Sequence, residues 1–408
     1  MNLALHIARR YLISKKSTNA INIISMVSAL GMMVGTAALV LVLSVFNGFE
    51  DIVTSLYNTF NPDIRVVPRQ GKVFIPDETQ LTAIRNLPGV KAVATILEEN
   101  SLVQYRNKEF IFRLKGVDND FAAVTALDTA LVEGEFLLNQ DSVNYAVLGL
   151  GVRDLLGVNI DNPFSRLNVF MPRRNANAQT PPEQAFVDAA LEPAGVFAIQ
   201  QEFDSKYIIV PIMFMRQLLN YPREVSALEI ALTQPQQTAQ AQQAITQILG
   251  PDFEVRNRYQ QDALLYKVMR TEKWVVYLIL TFILLVAAFN IVGSLSMLVL
   301  EKSRDIAILK SLGASKGFVR RIFFFEGLLL SLLGAFTGMV IAVLLCLAQQ
   351  KYGLLQLGGD SFLIQAYPVS MRFNDFVLVF ATVVIISVFA SLLPANRAAQ
   401  QGQLLKEA

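Results

Sequence analysis

INIISMVSALGMMVGTAALVLVLSVF, residues 21–46, decides the architecture. It lies in a charge-free run between Lys16 and Glu50 and exceeds the roughly 20 apolar residues that cross a bilayer. Working outward, three more runs qualify: 275–300 between Lys273 and Glu301, 322–348 with Glu326 as its one charge, and 376–393 between Asp375 and Arg397. At 53% hydrophobic and 17% charged, a chain of 408 residues is too apolar to be soluble, so the surplus belongs in lipid. The Arg9-Arg10 pair ahead of the first run suggests a cleaved export signal, but such a signal has a core of about 7 to 15 residues and a small-residue cleavage site. The first span is therefore expected to stay, preceded by an interfacial helix over 2–13.

Lys and Arg are retained in short cytoplasmic segments. Arg9, Arg10, Lys15 and Lys16 stand at the N-terminus without an acid, and the loop 301–321 carries six basic residues against two acids. Both are expected inside. The loop 349–375 balances Lys351 and Arg372 against Asp360 and Asp375, and 47–274 holds 21 basic and 27 acidic residues, so both are expected outside. The expected segments are 1–20 (interfacial), 21–46, 275–300, 322–348 and 376–393 (spans), 47–274 (external domain), 301–321 (cytoplasmic loop), 349–375 (external loop) and 394–408 (cytoplasmic tail). This is a membrane protein with four transmembrane α-helices and a large α+β domain inserted between helices 1 and 2.

Within the external domain, β-branched and aromatic runs predict strands over 63–68, 110–117, 166–171, 207–212 and 227–232. Helices are predicted over 78–86, 212–220 and 236–249, each ahead of a Gly or Pro. The stretch 171–193, with prolines at 172, 181, 182 and 193, reads as either a protruding hairpin or a flexible insertion. Leu264, Leu265, Val268 and Met269 are spaced as on a helix that runs into the second span and would couple the domain to the membrane.

Chemistry is scarce. His6 is the one histidine, so acid-base catalysis or a histidine metal site has little material. Gly71-Lys72 lacks the rest of a phosphate loop, so the chain is expected to hold no cofactor and to hydrolyse no ATP. Leu357-Gly358-Gly359-Asp360 reads as a loop, and Cys346 as packing. A net charge of +2 gives no nucleic-acid surface.

Gly31/Gly35 and Gly334/Gly338 are spaced for close helix contact, and Asn290 and Glu326 need partners inside the membrane; for Glu326 these are expected to be Lys316, Arg320 or Arg321. The stretch Glu301-Lys-Ser-Arg-Asp-Ile-Ala-Ile-Leu-Lys-Ser-Leu-Gly-Ala314 places Ile306, Leu309 and Leu312 three apart on a short helix that Gly313 ends. It suits either a helix at the lipid headgroups or one docked in a partner's groove.

The run 301–314, with Ala287-Ala-Phe-Asn-Ile291 before it, resembles the permeases of lipoprotein-releasing ABC transporters (LolC/LolE) within the FtsX/MacB superfamily. Leu43-Ser-Val-Phe-Asn-Gly-Phe-Glu50 and Leu148-Gly-Leu-Gly-Val-Arg-Asp-Leu-Leu-Gly157 resemble the same family. The resemblance implies a periplasmic external domain in the inner membrane, a second permease, and a LolD-like ATPase that binds ATP and Mg. It also implies lipoprotein substrates handed to a LolA-like periplasmic chaperone. Glu301, Lys302, Asp305, Ile306, Leu309, Lys310, Leu312 and Gly313 would form the coupling helix for that ATPase. The 171–193 stretch, with Met171, Pro172, Arg173, Arg174, Pro181 and Pro182, would be the chaperone hook. Position suggests Leu39, Val42, Leu43, Phe46, Val276 and Leu280 as the acyl-chain shelter. FtsX-like activation of a cell-wall hydrolase and MacB-like efflux are the alternatives. LolC-like, LolE-like and homodimeric subunits stay open.

Overall fold

A computed structural model describes residues 3–13, 19–140, 143–162, 164–173, 185–356 and 366–400. The helices that organise it are α1 Leu3–Ile13, α2 Asn19–Phe60, α3 Glu78–Arg85, α4 Leu150–Leu156, α5 Ile212–Leu219, α6 Thr238–Leu249, α7 Ala263–Glu301, α8 Ser303–Ser311, α9 Lys316–Tyr352 and α10 Phe373–Gln400. The chain divides into two units, one formed by residues up to 52 with those from 267 onward, the other by 53–266. Both divisions fall inside helices, α2 and α7.

Four helices of the first unit are long and apolar enough to cross a membrane. With 42 residues, α2 is about 63 Å long at 1.5 Å per residue, twice the hydrocarbon thickness of a bilayer. The glycine pairs explain how these helices approach one another. A Cβ on Gly35 would sit 2.7 Å from the Leu284 side chain, and one on Gly334 would sit 2.7 Å from the Ala29 carbonyl. A Cβ on Gly338 would run into the Met33 carbonyl. Both motifs are thus used, the first by α2 against α7 and the second by α9 against α2. Ser28 adds a hydrogen bond to the Asn290 carbonyl at 2.9 Å, and the Tyr277 and Thr382 hydroxyls meet at 2.5 Å. The Asn290 side chain itself is exposed, and Glu326 is buried while Lys316, Arg320 and Arg321 are exposed.

The second unit contains eleven strands among the described residues: β1 Ile64–Pro68, β2 Val90–Tyr105, β3 Lys108–Val117, β4 Leu131–Gly134, β5 Asn139–Gln140, β6 Val143–Gly149, β7 Leu167–Pro172, β8 Phe186–Phe197, β9 Tyr207–Pro211, β10 Ala227–Leu232 and β11 Phe253–Asn257. The run β1-α3-β2, continued by β10-α6-β11, sets the strands in the order β11-β1-β10-β2, all antiparallel, a split β-α-β arrangement. Between its halves the chain inserts a second element. There β2 pairs β3, β3 pairs β9, β9 pairs β6, β6 pairs β8, β8 pairs β7, and β7 returns to β2. The circuit closes on β2, and β11 and β4 are left as the ends of the strand order. Val103, Leu114, Leu148, Val169, Leu191 and Ile208 from its strands share one buried core.

All five predicted strands are present, and six more join them. The 16-residue β2 contains Glu98-Glu99-Asn100, which breaks the apolar alternation. Its stability comes from pairing with β3 along its whole second half, Ile96↔Val117 to Tyr105↔Lys108.

Candidate functional site

α8 follows α7 after one residue and is closed by Gly313, whose φ of 91° is open to glycine and strained for other residues. The Ala314 amide donates to the Leu309 carbonyl and the Gly313 amide to the Lys310 carbonyl, both at 3.0 Å, the hydrogen-bond pair of a Schellman cap. Lys302 pairs with Asp305 at 3.3 Å, and the Lys310 ammonium donates to the Ala399 carbonyl at 2.9 Å, at the C-terminal, negative end of α10. Glu301 is the last residue of α7 and is half-buried.

The three apolar residues of the expected stripe do not share a face. Ile306 is 2% exposed and belongs to the helix core with Phe323 and Ala395. Leu309 is half-buried and Leu312 is 79% exposed. The reason is helical pitch. A step of three residues falls short of a full turn by about 60°, so two steps separate Ile306 from Leu312 by about 120°. The outward face is instead Arg304, Ile308, Ser311 and Leu312, with Ile308 58% exposed. Ile308 is the residue that a three-residue count passes over; a four-residue count back from Leu312 finds it.

At the other end of the same unit, the Ser44–Glu50 motif has a specific structural job. The buried Asn47 donates to the Asp375 carboxylate at 2.6 Å and to the Ser370 carbonyl at 3.1 Å, and its amide oxygen accepts from Lys273 at 2.7 Å. Lys273 also pairs with Asp375 at 3.2 Å. One asparagine therefore ties α2, α7 and α10 together. Ser44 accepts from the Ser370 amide through its carbonyl at 2.9 Å, Phe49 meets the Tyr367 ring edge-on at 5.9 Å, and Arg372 reaches Glu50 and Asp51 at 2.7 Å each. A side chain at Gly48 would overlap the Pro368 carbonyl, so only glycine lets this loop lie flat on α2. In the sequence, Lys273 and Asp375 merely bounded the spans. Nothing in the local pattern marks them as partners.

The six shelter residues separate by helix face. Leu39 and Leu43 are fully buried in the helix core, so neither lines an open space in this chain. Val42, Phe46, Val276 and Leu280 are half-buried, with Leu280 packed against that core. Around them Val275, Leu278, Ile279 and Phe282 are exposed. Position along a uniformly apolar helix says nothing about facing, because such a helix has no amphipathic stripe to read.

Within the stretch 171–193 the described residues are the two flanking strand ends. β7 and β8 stay paired to Pro172↔Phe186, and the Arg173 amide donates to the Ala185 carbonyl at 2.7 Å. Met171 is fully buried in the domain core and is no surface contact, whereas Pro172 and Arg173 are exposed. Arg174, Pro181 and Pro182 lie outside the described residues, as does Leu357-Gly358-Gly359-Asp360.

In the external unit, Lys115 donates to both oxygens of Glu229 at 2.9 and 3.0 Å with neither side chain more than 1% exposed, and its ammonium faces the Phe60 and Phe121 rings at 4.5 and 4.9 Å. Glu98 pairs with Arg65 at 3.0 Å beside them. Burial alone would raise the Glu98 carboxyl, but Arg65, Lys115 and Arg113 overcome it and hold the group below the ordinary carboxylate range. Arg65, Glu98, Arg113, Glu202 and Asp262 line a cavity of ≈ 610 Å³. Its cations and anions are interleaved, and no group of three or more potential metal ligands occurs among the described residues. The Tyr57 hydroxyl donates to Glu202 on the same wall, and the paired charges read as a structural ion network.

Residues 25–248 match the MacB-like periplasmic core domain and residues 277–402 the FtsX-like permease C-terminal region. Over 98% of both chains, the sequence is 25% identical to the lipoprotein-releasing system transmembrane protein LolE of Haemophilus influenzae. It is 27% identical to LolC of Neisseria meningitidis serogroup B, across 97% of this chain and 96% of that one. Among solved structures, the extracellular domain of the ABC-type transporter YknZ from Gram-positive bacteria is similar over 48% of this chain and 99% of that domain, at 14% identity and a TM-score of 0.33.

Proposed function

The chain belongs to the MacB-like periplasmic core family, with an FtsX-like permease C-terminal region of the LolC/LolE type, and from that premise we propose that it is the permease subunit of a lipoprotein-releasing ABC transporter. The observation that carries this reading is likeness to LolE along both units of the chain together. In it, the chain sits in the inner membrane with both termini cytoplasmic and the 47–274 domain in the periplasm. It works beside a second permease and a LolD-like ATPase that binds ATP and Mg, and delivers lipoproteins to a LolA-like chaperone.

The energetics require such a division of labour. Each buried methylene contributes about 0.8 kcal/mol, so withdrawing one long acyl chain costs on the order of 10 kcal/mol, and a triacylated anchor far more. A chain without a phosphate loop must receive that energy through a contact. The exposed face of α8, Arg304, Ile308 and Leu312, is suited to fit a groove on the ATPase. Glu301, Lys302, Asp305, Leu309, Lys310 and Gly313 frame α8, and Ile306 anchors it to the helix core. Outside, the half-buried Val42, Phe46 and Val276 with Leu278 and Phe282 offer an apolar wall for acyl chains. The paired β7–β8 stem, from Pro172 and Arg173 outward, is the base from which the hook meets the chaperone.

Depleting the protein should leave outer-membrane lipoproteins in the inner membrane, and purified permease with its ATPase should release them to the chaperone when ATP is supplied. Normal sorting on depletion sinks the proposal. Stimulation of a cell-wall hydrolase without lipoprotein release would replace it with FtsX-like signalling, and small-molecule export with MacB-like efflux.

A further inference from the structure

A cavity of ≈ 950 Å³ opens where the end of α7, the start of α9 and the end of α10 come together. Lys316, Arg320 and Arg397 line it, with no carboxylate among the described lining residues. All three side chains are exposed, and none forms an ion pair among the described residues. Three like charges around one space repel each other, and an anion held between them removes that cost. Two further features fit a phosphate. Gly317 lines the cavity at the first turn of the 37-residue α9, where Ser315 caps the Phe318 amide at 3.2 Å and the first amides of the helix have no carbonyl one turn back to meet. Arg320 and Arg397 bring forked donors that match phosphate oxygens. The remaining wall includes Leu300, 60% exposed. The space therefore offers an apolar surface beside a positively charged one.

We propose that this cavity binds the phosphate headgroup of an anionic lipid of the cytoplasmic leaflet, with an acyl chain lying along Leu300. Basic pockets between transmembrane helices on the cytoplasmic side are suited to such headgroups. The location rests on the orientation proposed above, whereas the binding chemistry does not. An anionic lipid at this point would bridge α7, α9 and α10 just beyond α8, so membrane composition would set how firmly the coupling helix is backed.

The test uses purified full-length protein in detergent, with retained phosphatidylglycerol and phosphatidylethanolamine measured by native mass spectrometry. Phosphatidylglycerol should be retained preferentially. Lys316→Gln, Arg320→Gln or Arg397→Gln should each weaken retention about fivefold and the triple variant on the order of a hundredfold, while Lys351→Gln changes nothing. Equal retention by the triple variant, with an unchanged melting temperature, overturns the proposal. Displacement of the lipid by excess inorganic phosphate assigns the site to free phosphate and overturns the lipid source. Loss of ATPase co-purification with lipid retention intact makes the cavity a protein interface and also overturns it. An impermeant maleimide should label Lys316→Cys only in inverted vesicles. Labelling from the outside refutes the orientation, a failure distinct from loss of lipid in detergent.

Discussion

Replacing Ile308 and Leu312 together by serine separates the two faces of α8. Burying an isoleucine or leucine side chain completely contributes about 1.5 to 3 kcal/mol. Ile308 is 58% exposed and Leu312 79%, so those fractions leave about 1 kcal/mol or more to be gained at each position when a partner covers them. The pair then contributes about 2 to 4 kcal/mol to ATPase docking, which predicts a Kd weakened on the order of 30- to 1000-fold. Fold stability should change little, because both side chains already face outward. Ile306→Val is the counterpart. It removes one methyl from the helix core at about 0.5 to 1.5 kcal/mol of stability and should leave ATPase affinity alone. The assay is titration of purified ATPase onto permease held in lipid nanodiscs, paired with a thermal melt of each variant. Unchanged affinity in the serine pair, or affinity lost in Ile306→Val without unfolding, refutes the assignment of the docking face.

Lys115→Met should destabilise the external domain by about 3 kcal/mol, since it leaves the buried Glu229 with the longer Arg65 contact at 3.7 Å in place of its closest cation, and adding Glu229→Leu should recover most of that loss in denaturant melts of the full-length protein. The Glu98 pairing predicts acid sensitivity. Its folded pKa lies below the ordinary value of about 4.3, so its contribution is complete above that pH and fades as pH falls through the folded pKa. Exchange protection of β2 amides should drop on acidification, and less so in Glu98→Gln. Asn47→Leu leaves Lys273 and Asp375 short of a buried partner and should cost about 1 to 3 kcal/mol, read as a lower melting temperature and faster proteolysis of the 366–372 loop. Gly48→Val should give the same loosened loop by steric conflict with Pro368.

Some of this was readable one residue at a time. The spans follow from apolar runs, because a backbone in hydrocarbon must satisfy its own hydrogen bonds and a helix does so locally. The strands with strong β-branched content, such as Ala227–Leu232, are likewise visible in the chain. The Gly313 cap was legible for the same reason, since a left-handed residue has a local signature. The closed strand circuit was not. β6 and β8 meet in parallel across more than forty residues of sequence, and pairing at that distance leaves no local mark. Facing within the membrane was equally hidden. Leu39 and Val42 are both aliphatic, yet one is buried and the other half-exposed, as neighbouring helices dictate. Asn47, Lys273 and Asp375 show the limit most sharply. The sequence by itself determined that these polar residues stand at the ends of apolar helices. Only the tertiary structure brought all three within hydrogen-bond reach, because electrostatic pairing depends on distance in space and the chain records only order.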